Sequence, residues 1–224
     1  MGRKLLLATA AALTFIGAAS ANAQVNVTFD EGNGGLSSGE VSLATFDPGS
    51  TGGVTGGFHV LTGDVPGLGA DPAVGGQGDP YLAVFGGETA TFDFTSFAGG
   101  GLSQLGLDYG SADAFNIFTL FLTGGLVSSV TFNGDDIVAL GSADGDQSSP
   151  RTNGRLTFFA DAGTTITGLS LFSGGNSLET DNYGVTSAVP EAATWAMMLL
   201  GFGGIGFSMR RGRRSSRGGL LQAA

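Results

Sequence analysis

The 224-residue chain contains no cysteine. Disulfide stapling, thiol catalysis and thiolate-held metals are therefore excluded. Histidine occurs once, as His59, so a zinc centre would need carboxylates for its other ligands. The single lysine is Lys4, near the N-terminus. A body without lysine excludes Schiff-base and Ser–Lys mechanisms. The one tryptophan, Trp195, lies close to the C-terminus, which leaves no indole in the body to stack on a sugar. Charged residues make up only 12% of the chain, about half the usual ~25%. What is abundant is glycine, at 42 residues. No Gly-X-Y period accompanies it, so the chain is not collagen-like. The hydrophobic fraction of 42% suffices for a packed core and separates the chain from disordered acidic tails.

The few charges are segregated. Residues 24–188 hold 18 of the 19 acids but only Arg151 and Arg155, a net charge of −16. Such a body repels polyphosphates and anionic head groups, so nucleic-acid binding is excluded. Two basic residues, Arg3 and Lys4, sit at the N-terminus, and Arg210, Arg211, Arg213, Arg214 and Arg217 crowd the C-terminus.

Each end reads as a targeting signal. Arg3 and Lys4 precede the apolar run 5–19, and Ala21, Asn22 and Ala23 follow. A charged start, a short apolar stretch and a small-x-small site predict a signal peptide over 1–23, cut between Ala23 and Gln24. A second apolar run, 192–209, ends at the arginine cluster. Eighteen residues just span ~30 Å of hydrocarbon at ~1.5 Å each. Trp195 suits an interface and the arginines a cytoplasmic side. The run predicts a transmembrane helix over 192–209, with 215–224 as a cytoplasmic tail. Glycines 201, 203 and 206 formally match G-x-G-x-x-G. With no strand before them inside an apolar run, they are not a nucleotide site.

The residues from Val189 through Pro190, Glu191, Trp195 and Ala196 to Arg210, Arg211, Arg213 and Arg214 closely resemble a PEP-CTERM sorting signal of the PEPxxWA subtype seen in proteobacteria. The family usually has a second proline where this chain has Ala192. The resemblance covers 189–214. It implies export in a Gram-negative cell, transient membrane residence through 192–209, and cleavage near Pro190 and Glu191 by an exosortase-type enzyme. The product would reach the cell surface, the medium or an exopolysaccharide (biofilm) matrix.

Between the signals, 24–188 reads as an all-β domain, a single β-sandwich or jelly roll. Val25, Val27 and Phe29 alternate with polar residues, the pattern of a one-faced strand. Further strands are expected at 41–46, 58–62, 81–85, 90–94, 114–123, 126–132, 137–140, 155–160, 165–172 and 183–187. Both parities of 114–123 are apolar, predicting a strand covered on both faces. No stretch shows a sustained helical period. Seventeen phenylalanines supply core volume in place of disulfides. Residues 81–92, then Leu107 to Asn116, resemble a body domain of exosortase-dependent surface proteins. The segment from Glu179 to Val185 resembles the last strand of those domains and of galactose-binding-like jelly rolls. That resemblance implies a fold and a destination, not a reaction.

Candidate chemistry is sparse. Gly35 to Gly39 match G-x-S-x-G around Ser37, but a nucleophile elbow needs a following helix and a histidine base. His59 suits the polar face of an edge strand. A glycosidase needs two carboxyls at fixed separation in a cleft, and 18 acids make some pair inevitable. In 142–149, Asp144 and Asp146 flank Gly145, offering oxygen ligands that suit calcium. They equally suit a β-turn held by Asx hydrogen bonds. Asn133, Gly134, Asp135 and Asp136 form a second such group. No other cofactor is implied. Tyr81, Tyr109 and Tyr183 are candidates to stack on sugars, or core residues. These features lead to an exported, non-enzymatic protein with a structural or adhesive role. The alternative is a carbohydrate-binding module, calcium-assisted or not, with a hydrolase behind it.

Overall fold

The computed structural model describes residues 24–75, 78–138, 142–188 and 192–215. Twelve strands are described: β1 (Val25–Glu31), β2 (Val41–Ala44), β3 (Thr55–Gly56), β4 (His59–Thr62), β5 (Pro80–Val84), β6 (Thr89–Asp93), β7 (Leu102–Tyr109), β8 (Asn116–Thr123), β9 (Ser129–Asn133), β10 (Gly154–Ala160), β11 (Thr165–Ser173) and β12 (Leu178–Ser187). A helical turn, α1 (Gly134–Ile137), a 3₁₀ turn at Pro150–Thr152 and a helix, α2 (Ala192–Ser215), complete the described elements. The body is all-β, as its alternation predicts.

The strands pair antiparallel in two groups. One runs β1–β10–β7–β12, with β5 and then β4 beside the first half of β12 and β2 beside its second half. The other runs β3–β6–β11–β8–β9. A single pairing, Ile166 with Leu102, joins them. Rings meet between strands that share no ladder, so the groups lie face to face. Tyr109 of β7 stands edge-on to Phe118 of β8 at 4.9 Å, and Tyr183 of β12 lies 4.8 Å from Phe92 of β6. Leu105, Leu107, Leu156, Phe158, Leu120, Leu169 and Leu171 fill the remaining interface and are fully buried. Alternation along each strand puts these residues on one face.

Three strand expectations are corrected. The segment 137–140 is not a strand where it is described. Asn133 caps α1, accepting from the Asp136 amide while Asp136 accepts from the Asn133 amide, and this capping box outweighs the short apolar run. The apolar strand β8 is covered on one face only. Phe118 and Leu120 are buried, but Phe121 is 40% exposed, because the outer face of its layer meets solvent. Strand β7, the centre of its layer, was missed, since Gly106 and Asp108 interrupt its alternation.

Residues 1–23, with Ala23 of the expected cleavage site, lie outside the described residues, as do Pro190 and Glu191. Gln24 opens the described body. Its carbonyl accepts from the Asp161 amide at 3.0 Å and its side chain from the Val127 amide at 3.1 Å. In α2 the side chains of Trp195, Arg211, Arg213 and Arg214 are outside the description, while Arg210 is exposed. Met197, Leu199, Leu200, Phe202, Ile205 and Phe207 are exposed. Among the described residues, no helix is long and apolar enough to cross a membrane, so the fold by itself gives no span where one is expected over 192–209.

Candidate binding cleft

The outer face of the β7–β12 layer carries charge instead of apolar side chains. On β7 and β10, Asp108 and Arg155 are paired neighbours, and both are buried. Arg155 donates to Asp108 Oδ1 at 3.1 Å, to Glu40 Oε2 at 2.5 Å and to the Asn182 carbonyl at 2.6 Å. Asp108 also accepts from the Gly35 amide and from Asn182 Nδ2, both at 2.9 Å. A Cβ on Gly184 would stand 2.5 Å from Glu40 Oε2, so only glycine leaves room for the pair. This network fixes the loop 32–40 against the sheet. The loop is where the G-x-S-x-G match falls, between β1 and β2, with no helix after Ser38. His59 sits on the edge strand β4, as expected. Its ring stacks on Phe85 at 3.9 Å and its Nε2 meets Glu88 at 3.1 Å.

A second loop, 63–75, crosses the same face nearer the start of β12. The Ala70 amide donates to Glu179 Oε1 at 3.2 Å, and the Ala73 amide to Asn153 Oδ1 at 3.2 Å. Beside this loop opens a cavity of about 510 Å³. Its carboxylates come from four segments: Asp64, Asp113, Asp144 and Glu179. Asp113 and Asp144 face one another across an isolated antiparallel bridge. Gly145 makes that approach possible: its φ is +66°, and a Cβ there would lie 2.6 Å from Asp113 Oδ1. Phe115, 37% exposed, forms part of the wall. Its ring rests on Gly175, where a Cβ would meet it at 3.1 Å. Ser111, Ser177, Gln147 and Asn176 add hydroxyls and amides to the lining.

Glu179 is the unusual group. It is 3% exposed, and although Oε1 accepts from Ala70 and Ser177, Oε2 has no partner. Burial pushes its carboxyl up to about 7. Asp181, on the same outer face, is 4% exposed with an unpartnered Oδ1. Burial raises it to about 7, and Asp108, Asp71 and Asp79 add repulsion. Asp113 is raised by burial and by Asp144. Orphaned buried carboxylate oxygens are costly, and of these two residues Glu179 belongs to the cavity lining.

The structure sorts the sequence candidates. Asp144 Oδ2 accepts from Arg151 at 2.6 Å. Asp146 Oδ1 accepts from the Ser148 amide and hydroxyl, each at 2.9 Å, in an Asx-type turn, and the Ser148 amide holds its carboxyl below the usual range. The two candidate calcium ligands thus have separate partners, and among the described residues no three acidic or histidine side chains converge on a metal-sized point. Asp135 and Asp136 serve α1 and the Ala143 amide. Tyr81, Tyr109 and Tyr183 are all fully buried, so none stacks on a ligand outside the core. Their hydroxyls are used internally, Tyr109 with Asn116 and Tyr183 with Thr180. Phe115 and Glu179 fall within the segments 107–116 and 179–185 that resemble surface-protein domains, and no local motif marks either as a ligand contact. Phe115 lies in the turn just before β8, closed by the Asn116 amide donating to the Asp113 carbonyl at 3.0 Å, so strand alternation gives no signal for it.

No curated protein matches the chain. Among solved structures it is similar to an exo-β-1,3-galactanase from Phanerochaete chrysosporium crystallised with galactose, at 15% identity and a TM-score of 0.34 over 67% of this chain. It is also similar to a protein crystallised with a xylogluco-oligosaccharide, at 12% identity and a TM-score of 0.26 over 66% of this chain. The chain spans only 30% and 39% of those two proteins' lengths, and likenesses this distant carry no argument. The C-terminus gives a definite result. Residues 188–214 match the PEP-CTERM protein-sorting motif, and this chain carries the signal of an exosortase-sorted, exported protein.

Proposed function

We propose that this protein is a surface-displayed, non-enzymatic adhesion or matrix module, built as a β-sandwich and delivered by its two terminal signals. In this reading the 192–209 run crosses the inner membrane and its exposed apolar helix surface lies in lipid. An exosortase-type enzyme cuts near Pro190 and Glu191, and the body goes to the surface or the exopolysaccharide matrix. The observation that carries the reading is the position of the sorting motif relative to the cleft. Strand β12 starts at Leu178, borders the cleft with Glu179, and ends at Ser187, just before the motif at 188. Eight residue steps at ~3.3 Å, in a strand bulged between Asp181 and Gly184, separate Glu179 from Ser187 by at most roughly 26 Å. The chain leaves the sheets at Ala188, whose amide donates to the Gly101 carbonyl at 3.0 Å. Tail and cleft thus occupy opposite ends of one strand, and a body tethered by the tail presents its cleft away from the tether. The absence of cysteine allows a direct test. In intact cells, Leu68→Cys on the cleft rim should react with a membrane-impermeant maleimide. Labelling seen only after lysis would refute surface display.

A further inference from the structure

The cleft's lining narrows the ligands it can accept. Among its described residues there is no lysine, arginine or histidine, and four carboxylates in a body of net charge −16 repel uronates, phosphates and sulfates. Val65, Pro66, Leu68 and Phe115 add apolar surface, but the serine, asparagine, glutamine and carboxylate groups between them would be left unpaired by a purely apolar ligand. A bare divalent cation lacks a converging set of three acidic ligands, and Asp144 already faces Arg151. What fits is a neutral molecule dense in hydroxyls. Such a ligand donates to carboxylates and accepts from serine and amide groups. The cavity's 510 Å³ falls within the ~300–1,000 Å³ range of small-molecule sites.

We propose that this cleft binds a neutral saccharide, with Phe115 against the sugar face and Asp113 and the unpartnered Glu179 Oε2 accepting its hydroxyls. Two independent observations meet here. One is the acidic, cation-free lining. The other is Glu179, a lining residue that is 3% exposed and whose buried Oε2 has no partner. A hydroxyl supplied by the ligand removes that unsatisfied group, and Phe115, held on Gly174 and Gly175, needs no rearrangement to stack. The proposal names a ligand for the adhesive role above and rests on it, but its test is made in vitro and is independent of export.

The test is isothermal titration of the full-length chain in micelles of a detergent without a sugar head group. The probes are D-glucose, D-galactose and D-mannose, with the matching uronates and calcium chloride in separate runs. At least one hexose should bind, and its uronate should bind about tenfold or more weakly. F115A and D113N should each lower hexose affinity about tenfold while keeping a cooperative thermal melt. L126A, at a position 85% exposed and absent from the lining, should leave it unchanged. Binding of no hexose, equal binding of hexose and uronate, binding of calcium alone, or full affinity in a folded F115A would each overturn the proposal. A body that binds hexose but is not labelled in intact cells would refute the display reading alone.

Discussion

Glutamine in place of Glu179 isolates the cost of a buried carboxylate in this fold. The native carboxyl rises from 4.5 to about 7 because burial disfavours its charge. Below pH 4.5 folded and unfolded chains are both protonated there, and the group contributes nothing to pH dependence. Between 4.5 and 7 the unfolded chain releases its proton first while the folded chain keeps it, so stability falls as pH rises. Above 7 the full penalty is in place, about 3 kcal/mol at ~1.4 kcal/mol per pH unit. E179Q carries no such penalty. Its amide oxygen replaces Oε1, and its nitrogen occupies the site of an atom already without a partner. The assay is the difference in Tm between E179Q and the native chain at pH 4 and pH 8. That difference should shift toward E179Q by about 6–12 °C, at ~2–4 °C per kcal/mol for a chain this size. The Asp181 contribution is present in both proteins and cancels. A pH-independent difference would refute the claim that Glu179 is buried without a charge partner.

Two further predictions concern charges elsewhere. R155M should lower stability by about 3–5 kcal/mol in urea unfolding, because Glu40 and Asp108 lose their shared cation in a buried setting; a loss near zero would show that the pair is solvated. EDTA and added Ca²⁺ should give the same Tm, because Asp144 and Asp146 are already engaged by Arg151 and by the 146–149 turn. A rise of several degrees with Ca²⁺ would place a metal in that loop.

Much of the fold was legible in residue alternation. Val25, Val27 and Phe29 announced β1, and 165–172 announced β11, because one face of each meets the core and the other does not. β7 was hidden because its outward positions bear Gly106 and Asp108, chosen by the buried ion network and not by solvent. A network whose members are Glu40, Asp108, Arg155 and Asn182 joins residues far apart in sequence, and no local pattern reveals it. The same reason hid the cleft. Asp64, Asp113, Asp144 and Glu179 meet only after four separate segments fold together. The tyrosines looked like ligand contacts because an aromatic with a hydroxyl suits either a surface or a core. The hydroxyls of Tyr109 and Tyr183 found buried partners in Asn116 and Thr180, that of Tyr81 donates to the Gly63 carbonyl, and all three rings went inside. The sorting signal, by contrast, is contiguous and depends on no fold, so sequence alone revealed it.

Delivery by the tail is the claim on which the display of the cleft depends. Mass spectrometry of the C-terminus of the native protein, recovered from the cell surface or the medium, tests it most directly. Sorting by the tail predicts a terminus close to Pro190 and Glu191, with residues 192–224 removed; an intact chain ending in its arginine-rich tail would contradict it.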